Sequence, residues 1–265
     1  MCLILFSLQS HPDYPLIVAA NRDEFFQRPT AAAEFWQDQS DLLAGRDLQA
    51  GGTWLGVNKN GRFAAVTNVR KGGEPQDKPG SRGALVTQAL LQDSATALTE
   101  IRNNQDHYNG FNLLCGTPES LFYLSNSDHY QGEFSLQKNA QPQPLEAGIY
   151  GLSNAALNTS WPKVDSAKAE MQRLIEEHAS NPETLQTALM EMMANDQRAA
   201  DDQLPNTGIG QEWESLLSSR FIVSPEYGTR ATTIVLFHRN GLVDFVEQGF
   251  DHQQPLERRN FSFQR

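Results

Sequence analysis

The chain has 265 residues, 39% of them hydrophobic, and a formal net charge of −11. That length suits one large domain spanning residues 1–265, and the apolar content supports a substantial core and argues against disorder. The charge disfavours a nucleic-acid partner, because phosphate binding draws on clustered Lys and Arg. No window approaches ~18 uninterrupted apolar residues, so no membrane span is expected.

The apolar opening Met1–Leu8 lacks a basic leader and a small-residue cleavage site, so it does not read as a signal peptide. Two cysteines, Cys2 and Cys115, suggest no disulfide framework. A reduced cytoplasmic protein is the expectation. Residues 3–8 and 16–20 are short apolar runs around Ser10-His11-Pro12-Asp13-Tyr14-Pro15, which reads as strand, turn, strand. Apolar at consecutive positions, both strands are expected to be buried on two faces.

Gly45, Gly51 and Gly52 read as turn positions, and Trp54-Leu55-Gly56-Val57 as a strand. They are not a phosphate cradle, since no Gly-Lys-Ser/Thr follows. Asn60-Gly61 marks a hairpin into residues 62–68. Residues 70–82, rich in Gly and Pro, read as a loop before a helix at 84–92 and another at 93–104, with Asp93 or Ser94 as cap. Strands are expected at 111–115 and 121–125. Two helices occupy 162–200, separated by Asn181-Pro182. A polar loop at 201–212 leads to strands at 220–223, 232–237 and 243–248. Strands at both ends with helices clustered between them indicate an α+β protein.

A first hairpin centred near Pro12-Asp13 pairs residues whose numbers sum to about 25, to within a residue or two. Cys2 then lies across from Asp23, beside Asn21-Arg22-Asp23-Glu24. A neighbouring guanidinium would raise the thiolate fraction. If Met1 were removed, Cys2 would carry a thiol and an α-amine whose pKa of ~7.7–8.0 suits a general base. Nucleophile and base on one residue suit acyl transfer; the structural alternative is a small apolar Cys opening a buried strand.

Met1-Cys2, Ala19-Ala20-Asn21-Arg22-Asp23-Glu24, Arg28-Pro29-Thr30, Ala44-Gly45-Arg46-Asp47 and Gly51-Gly52-Thr53-Trp54-Leu55-Gly56 occur in order. Phe63–Asn68, Ser81-Arg82-Gly83, Tyr108–Leu113, Tyr150–Asn154, Trp161-Pro162-Lys163 and Tyr227-Gly228-Thr229-Arg230 follow. Together they resemble the NRDE family, the homologues of transport and Golgi organisation protein two, over nearly the whole chain. The resemblance implies a four-layer αββα sandwich of N-terminal-nucleophile hydrolase type, more distantly similar to choloylglycine hydrolases and penicillin V acylases.

Carried over, Cys2 would be the nucleophile, Asp23 would hold its amine, Asn68 and Asn154 would face an oxyanion, and Arg230 would lie behind the thiol. In those acylases an arginine typically stands three residues before the aspartate. Here that position is Ala20, and strand alternation turns the nearest guanidinium, Arg22, away from the face of Asp23.

Asn21, Arg22, Glu24, Arg46 and Trp54 are candidate ligand-binding residues. Alternatively, Asn21 caps a strand end and Arg22 pairs with Glu24 or Asp47. The six scattered histidines give no zinc pattern, and Cys115 reads as inert packing. Two functions follow from the resemblance. One is a binding protein that handles a small amphipathic ligand, either haem as cargo or an acyl-CoA or lipid, with no required cofactor. The other is a cysteine amidohydrolase cleaving a linear amide.

Overall fold

The computed structural model of the chain describes residues 2–73, 76–130, 133–136 and 140–265. Six strands come first: β1 (Cys2–Leu8), β2 (Leu16–Phe25), β3 (Thr30–Trp36), β4 (Gln39–Asp47), β5 (Leu55–Asn58) and β6 (Phe63–Asn68). Helices α1 (Arg82–Leu91) and α2 (Ser94–Asn103) follow. Next are β7 (Phe111–Thr117), β8 (Ser120–Ser125), β9 (Ser127–Tyr130), β10 (Glu133–Leu136), β11 (Gln143–Pro144) and β12 (Gly148–Leu152). Helices α3 (Pro162–His178), α4 (Pro182–Met193) and α5 (Gln211–Leu216) precede β13 (Tyr227–Phe237), β14 (Leu242–Asp251) and β15 (Gln254–Gln264).

One sheet runs β12-β1-β2-β13-β14-β15, the other β11-β8-β7-β6-β5-β4-β3, with β9 and β10 paired apart from both. Side-chain alternation divides the core into three apolar slabs. Ile4, Phe6, Val18 and Ala20 point between the sheets and meet Val57, Phe63 and Ala65. Leu3, Leu5, Ile17 and Ala19 point outward onto Met171, Leu174, Leu185 and Leu189 of α3 and α4. On the far side, Ala64, Val66 and Leu113 pack against Leu85, Leu90, Leu98 and Ile101 of α1 and α2. The order helix, sheet, sheet, helix is the α+β sandwich expected. β1 and β2 are apolar at successive positions because each face has its own slab to fill.

The helix boundaries follow local chemistry. Asp93 accepts a hydrogen bond from the Thr96 N–H at the head of α2, and Asn181 accepts one from Thr184 at the head of α4. Pro162 and Pro182 occupy first-turn positions, where a missing N–H costs nothing.

Elsewhere the structure departs from the sequence reading. Residues 220–223, expected as a strand, are irregular: the Phe221 N–H donates to the Asn195 carbonyl and the Ile222 N–H to Thr229 Oγ1. Their apolar character reflects burial without a ladder partner. Strands β3, β4, β12 and β15 were not anticipated. The last of these is exposed along almost its whole length, and its apolar alternation is confined to Phe261 and Phe263 near its end, which pack against the core between the sheets. The stretch read as a polar loop ends in the start of α5.

Gly51 does take the left-handed turn conformation, at φ +78°. Gly45 is no turn residue. It lies within β4, where a Cβ would enter the Trp54 ring. Overpacking at such a contact costs about 1–3 kcal/mol. Gly45→Ala should therefore lower the urea midpoint by that equivalent, and an unchanged midpoint would show that Trp54 can move aside.

Candidate active site

The hairpin β1–β2 turns through residues 9–15, closed by the Gln9 N–H on the Pro15 carbonyl. Its register sets Cys2 opposite Arg22, Ile4 opposite Ala20 and Phe6 opposite Val18. The partner numbers sum to 24, one less than the centre of the expected range. Because side chains alternate with period two, that single step exchanges faces. Cys2 shares the inter-sheet face with Arg22, while Asp23 joins Asn21 on the face toward α3 and α4. The expectation that Arg22 would point away from the thiol is corrected.

A cavity of about 210 Å³ opens at this end of the sandwich, lined by Cys2, Arg22, Asp23, Glu24, Trp54, Asn68, Ser81 and Arg82 among others. Burial raises the Cys2 thiol above its ordinary pKa; the Asp23 charge adds to this, while Arg22 and the Asp23 backbone N–H favour the thiolate. Met1, and with it the state of the Cys2 amine, lies outside the described residues.

The other candidates divide clearly. Asp23 is buried, and its carboxylate accepts a hydrogen bond from Thr229 Oγ1 at 2.7 Å. Burial pushes this carboxyl up, although Lys163, Thr229 and Arg70 draw it down. Asn154 is fully buried and donates through Nδ2 to the backbone carbonyl and Oδ1 of Asn68, both at 3.0 Å. Asn68 lines the cavity and Asn154 does not. In this geometry Asn154 orients Asn68, whose own amide N–H groups are the ones able to face an oxyanion.

Arg22 lies 4.3 Å over the Trp54 ring and donates to Thr30 Oγ1. Glu24 lies 4.0 Å from Arg28, which also pairs with Asp47 at 2.8 Å.

Three candidates are elsewhere. Asn21 is a structural brace, donating to the carbonyls of Met193 and Arg220 and accepting from Thr232. Arg46 stacks on Trp36 and pairs with Asp38 away from the cavity. Arg230 does not lie behind the thiol; its Nη1 donates to the carbonyls of Phe25, Phe26 and Arg28, closing the loop after β2. Its expected partner role at Cys2 falls to Arg22 and Arg82, both of which act on the thiol electrostatically.

The sequence reading also missed a buried charged cluster behind Asp23. Arg70 pairs with Glu214 at 2.8 Å and stacks 4.6 Å over Trp161. Lys163 is 5% exposed, donates to the Leu217 carbonyl, and sits near Asp23 and Arg70. Burial, then the Arg70 charge, lowers it from 10.5 to about 7. The only local signal was the tripeptide Trp161-Pro162-Lys163; its partners are far away in the chain. Among the described residues no group of three or more His, Cys, Asp or Glu side chains could hold a metal ion. No described helix is long and apolar enough to cross a membrane.

These features define an αββα sandwich with a cysteine at the head of a central strand and a small charged cleft above it. Residues 1–252 match the family described as Transport and Golgi organisation 2, and the chain belongs to that family. A mouse homologue of that name is 35% identical over 94% of this chain and 92% of its own length. The human homologue is 34% identical over 94% and 92%. Among solved structures, penicillin V acylase from Agrobacterium tumefaciens is 11% identical, with a TM-score of 0.44 over 99% of this chain and 86% of its own. The C2A mutant of conjugated bile acid hydrolase from Clostridium perfringens is 8% identical, with a TM-score of 0.48 over 100% and 92%. At such identities neither likeness assigns chemistry to a residue.

Lys163 gives the site a pH signature. Its folded pKa of about 7 is below the ordinary 10.5, so the unfolded chain binds more protons between those values. Stability from this residue is complete above the upper value and is lost as pH falls through the lower one. Wild-type stability should therefore climb across that window by up to ~1.4 kcal/mol per pH unit. Lys163→Met should flatten the climb in urea titrations; an unaltered slope would assign the effect to another group.

Proposed function

We propose that the cleft receives the acyl end of a small amphipathic ligand, a lipid amide or an acyl thioester, with its carbonyl seated over Cys2. The observation that carries this reading is the set of residues lining one small space: the thiol-bearing Cys2, the amide-bearing Asn68, and Arg22, Arg28 and Arg82. A volume of about 210 Å³ is below the ~300–1,000 Å³ that buries a drug-sized ligand, so only one end of such a molecule enters.

The chemistry available is acyl transfer. Cys2 would pass its proton to a base and attack the carbonyl, the oxyanion would accept hydrogen bonds from Asn68, and its collapse would expel the amine or thiol with that proton; water would then release the acyl group from sulfur as a carboxylic acid and restore the thiol. The step needs a base, because burial keeps the thiol protonated at neutral pH. The Cys2 α-amine supplies that base only once Met1 is removed. With Met1 attached, the same cleft binds the ligand without turnover. Haem, the other cargo suggested by the resemblance, is favoured less, since no histidine is among the residues lining the cleft.

Intact mass of the native protein, followed by acyl-amide and acyl-thioester hydrolysis assays, tests the proposal. The expected result is a chain lacking Met1 that forms an acyl adduct on Cys2, with adduct and turnover abolished in Cys2→Ala. Turnover by a chain retaining Met1 would refute the amine as base. A Soret shift on haem titration that disappears in Cys2→Ala would move the assignment to haem.

A further inference from the structure

Three arginines and three acids line the cleft around Cys2, yet their charges do not cancel locally. Arg28 engages both Asp47 and Glu24. Asp23 turns its carboxylate to the opposite face of β2, toward Thr229 and Lys163. Arg22 and Arg82 remain, and neither has a carboxylate within 4.0 Å among the described residues. Arg22 is 5% exposed, held flat by Trp54 and by Thr30 Oγ1. Arg82 donates through Nη1 to the Gly110 carbonyl at 3.3 Å. A desolvated guanidinium without a close counter-ion is costly, and such a cation is retained where an anion completes it.

The nearby candidates for that anion fall short. Cys2 is a neutral thiol at pH 7, because burial raises it. Glu247 acts on Arg22 from behind, but its carboxylate is taken up by the Ala33 N–H at 2.7 Å and the Thr233 hydroxyl. Burial also lifts Glu247 to about 7, so it is only partly ionised there. Glu24 acts on Arg82 at longer range while serving Arg28. In addition, α1 begins at Arg82 with no acidic residue in its first turn and no side-chain cap on its N-terminus, leaving its positive end at the same wall.

We propose that Arg22 and Arg82 form an anion subsite beside Cys2, so that the ligand carries a carboxylate or phosphate group close to its reactive carbonyl. This rests on the reading that the cleft delivers a ligand to Cys2. Arg82 does the steering, since it is the more accessible of the pair, whereas Arg22 is fixed in place by Trp54.

The test compares two alkylating agents of similar size, iodoacetate and iodoacetamide, at Cys2. Both consume the same thiolate, so any change in thiol pKa cancels in their rate ratio. The unfolded chain supplies the reference ratio, and peptide mass spectrometry separates Cys2 from the buried Cys115. Folding should shift the ratio toward iodoacetate by roughly ten- to a hundredfold, the value of one charge-assisted hydrogen bond. Arg82→Gln should return it toward the reference, and Arg82→Lys should keep part of the preference.

A folded-state ratio equal to the reference overturns the anion subsite while leaving the acyl-binding cleft standing. So does a preference that survives in both Arg22→Gln and Arg82→Gln. Failure of both reagents to label Cys2 in the folded chain, with ready labelling once unfolded, overturns the cleft reading and the subsite with it.

Discussion

The register between β1 and β2 is the constraint on which the rest of the structure depends. Both strands lie inside a six-stranded sheet that has an apolar slab on each face, so neither parity of side chain is free to face solvent. Even-numbered residues from Ile4 to Phe6 and from Val18 to Ala20 fill the gap between the sheets. Their odd-numbered neighbours seat the helices α3 and α4. A slip of one residue would exchange every one of these contacts, which is why a strand buried on two faces holds its pairing so firmly. The same alternation carries through to the polar end of β2, where there is no core left to fill. It sends Arg22 toward Cys2 and sends Asn21 and Asp23 the other way.

The polar mouth of the sandwich is therefore two environments separated by one strand. On the inter-sheet side, Cys2 and Arg22 sit with Trp54 and, deeper in, Glu247, whose carboxylate accepts the Ala33 N–H where β3 departs from regular pairing with β4. On the helix side, Asp23 belongs to a cluster with Thr229, Lys163, Arg70 and Glu214. Taking this many charges out of water costs several kcal/mol per ion before pairing offsets it. Apolar replacements would serve stability at least as well, so the concentration of buried charge at one end of the fold singles out that end as the candidate site.

Trp54 joins these levels of organisation. Its ring occupies the space that Gly45 leaves open on β4, and its face carries the Arg22 guanidinium at 4.3 Å. A planar cation held against an aromatic face loses little entropy on accepting an anion, because its orientation is already fixed. Asn154 does similar work for Asn68, donating both to its carbonyl and to its side-chain oxygen. Asn68 is thus held by a residue outside the cleft, and Arg22 by Thr30 outside it and by Trp54 in its lining. A wall built this way is set before any ligand arrives.

The sequence by itself determined where the candidate site falls in the fold and which layers surround it. The apolar runs at 3–8 and 16–20 fixed two doubly buried strands, Asp93 and Asn181 fixed helix starts, and Cys2 with residues 21–24 fixed the end of the sandwich that matters. These signals are local: strand length, turn residues and caps act over a few positions. Only the tertiary structure decided which candidates meet. The face taken by Arg22 depended on a single step of register that the turn residues did not specify. Arg230 and Arg46 were drawn off by carbonyls and by Asp38, while Arg82 and Lys163 were brought in from remote parts of the chain. Arg70 and Glu214, 144 residues apart, pair at 2.8 Å because the loop after β6 folds onto the segment leading into α5, where the Gly72 N–H donates to the Thr207 carbonyl. The partners of a buried charge are chosen by packing across the layers, and no local pattern along the chain records that choice.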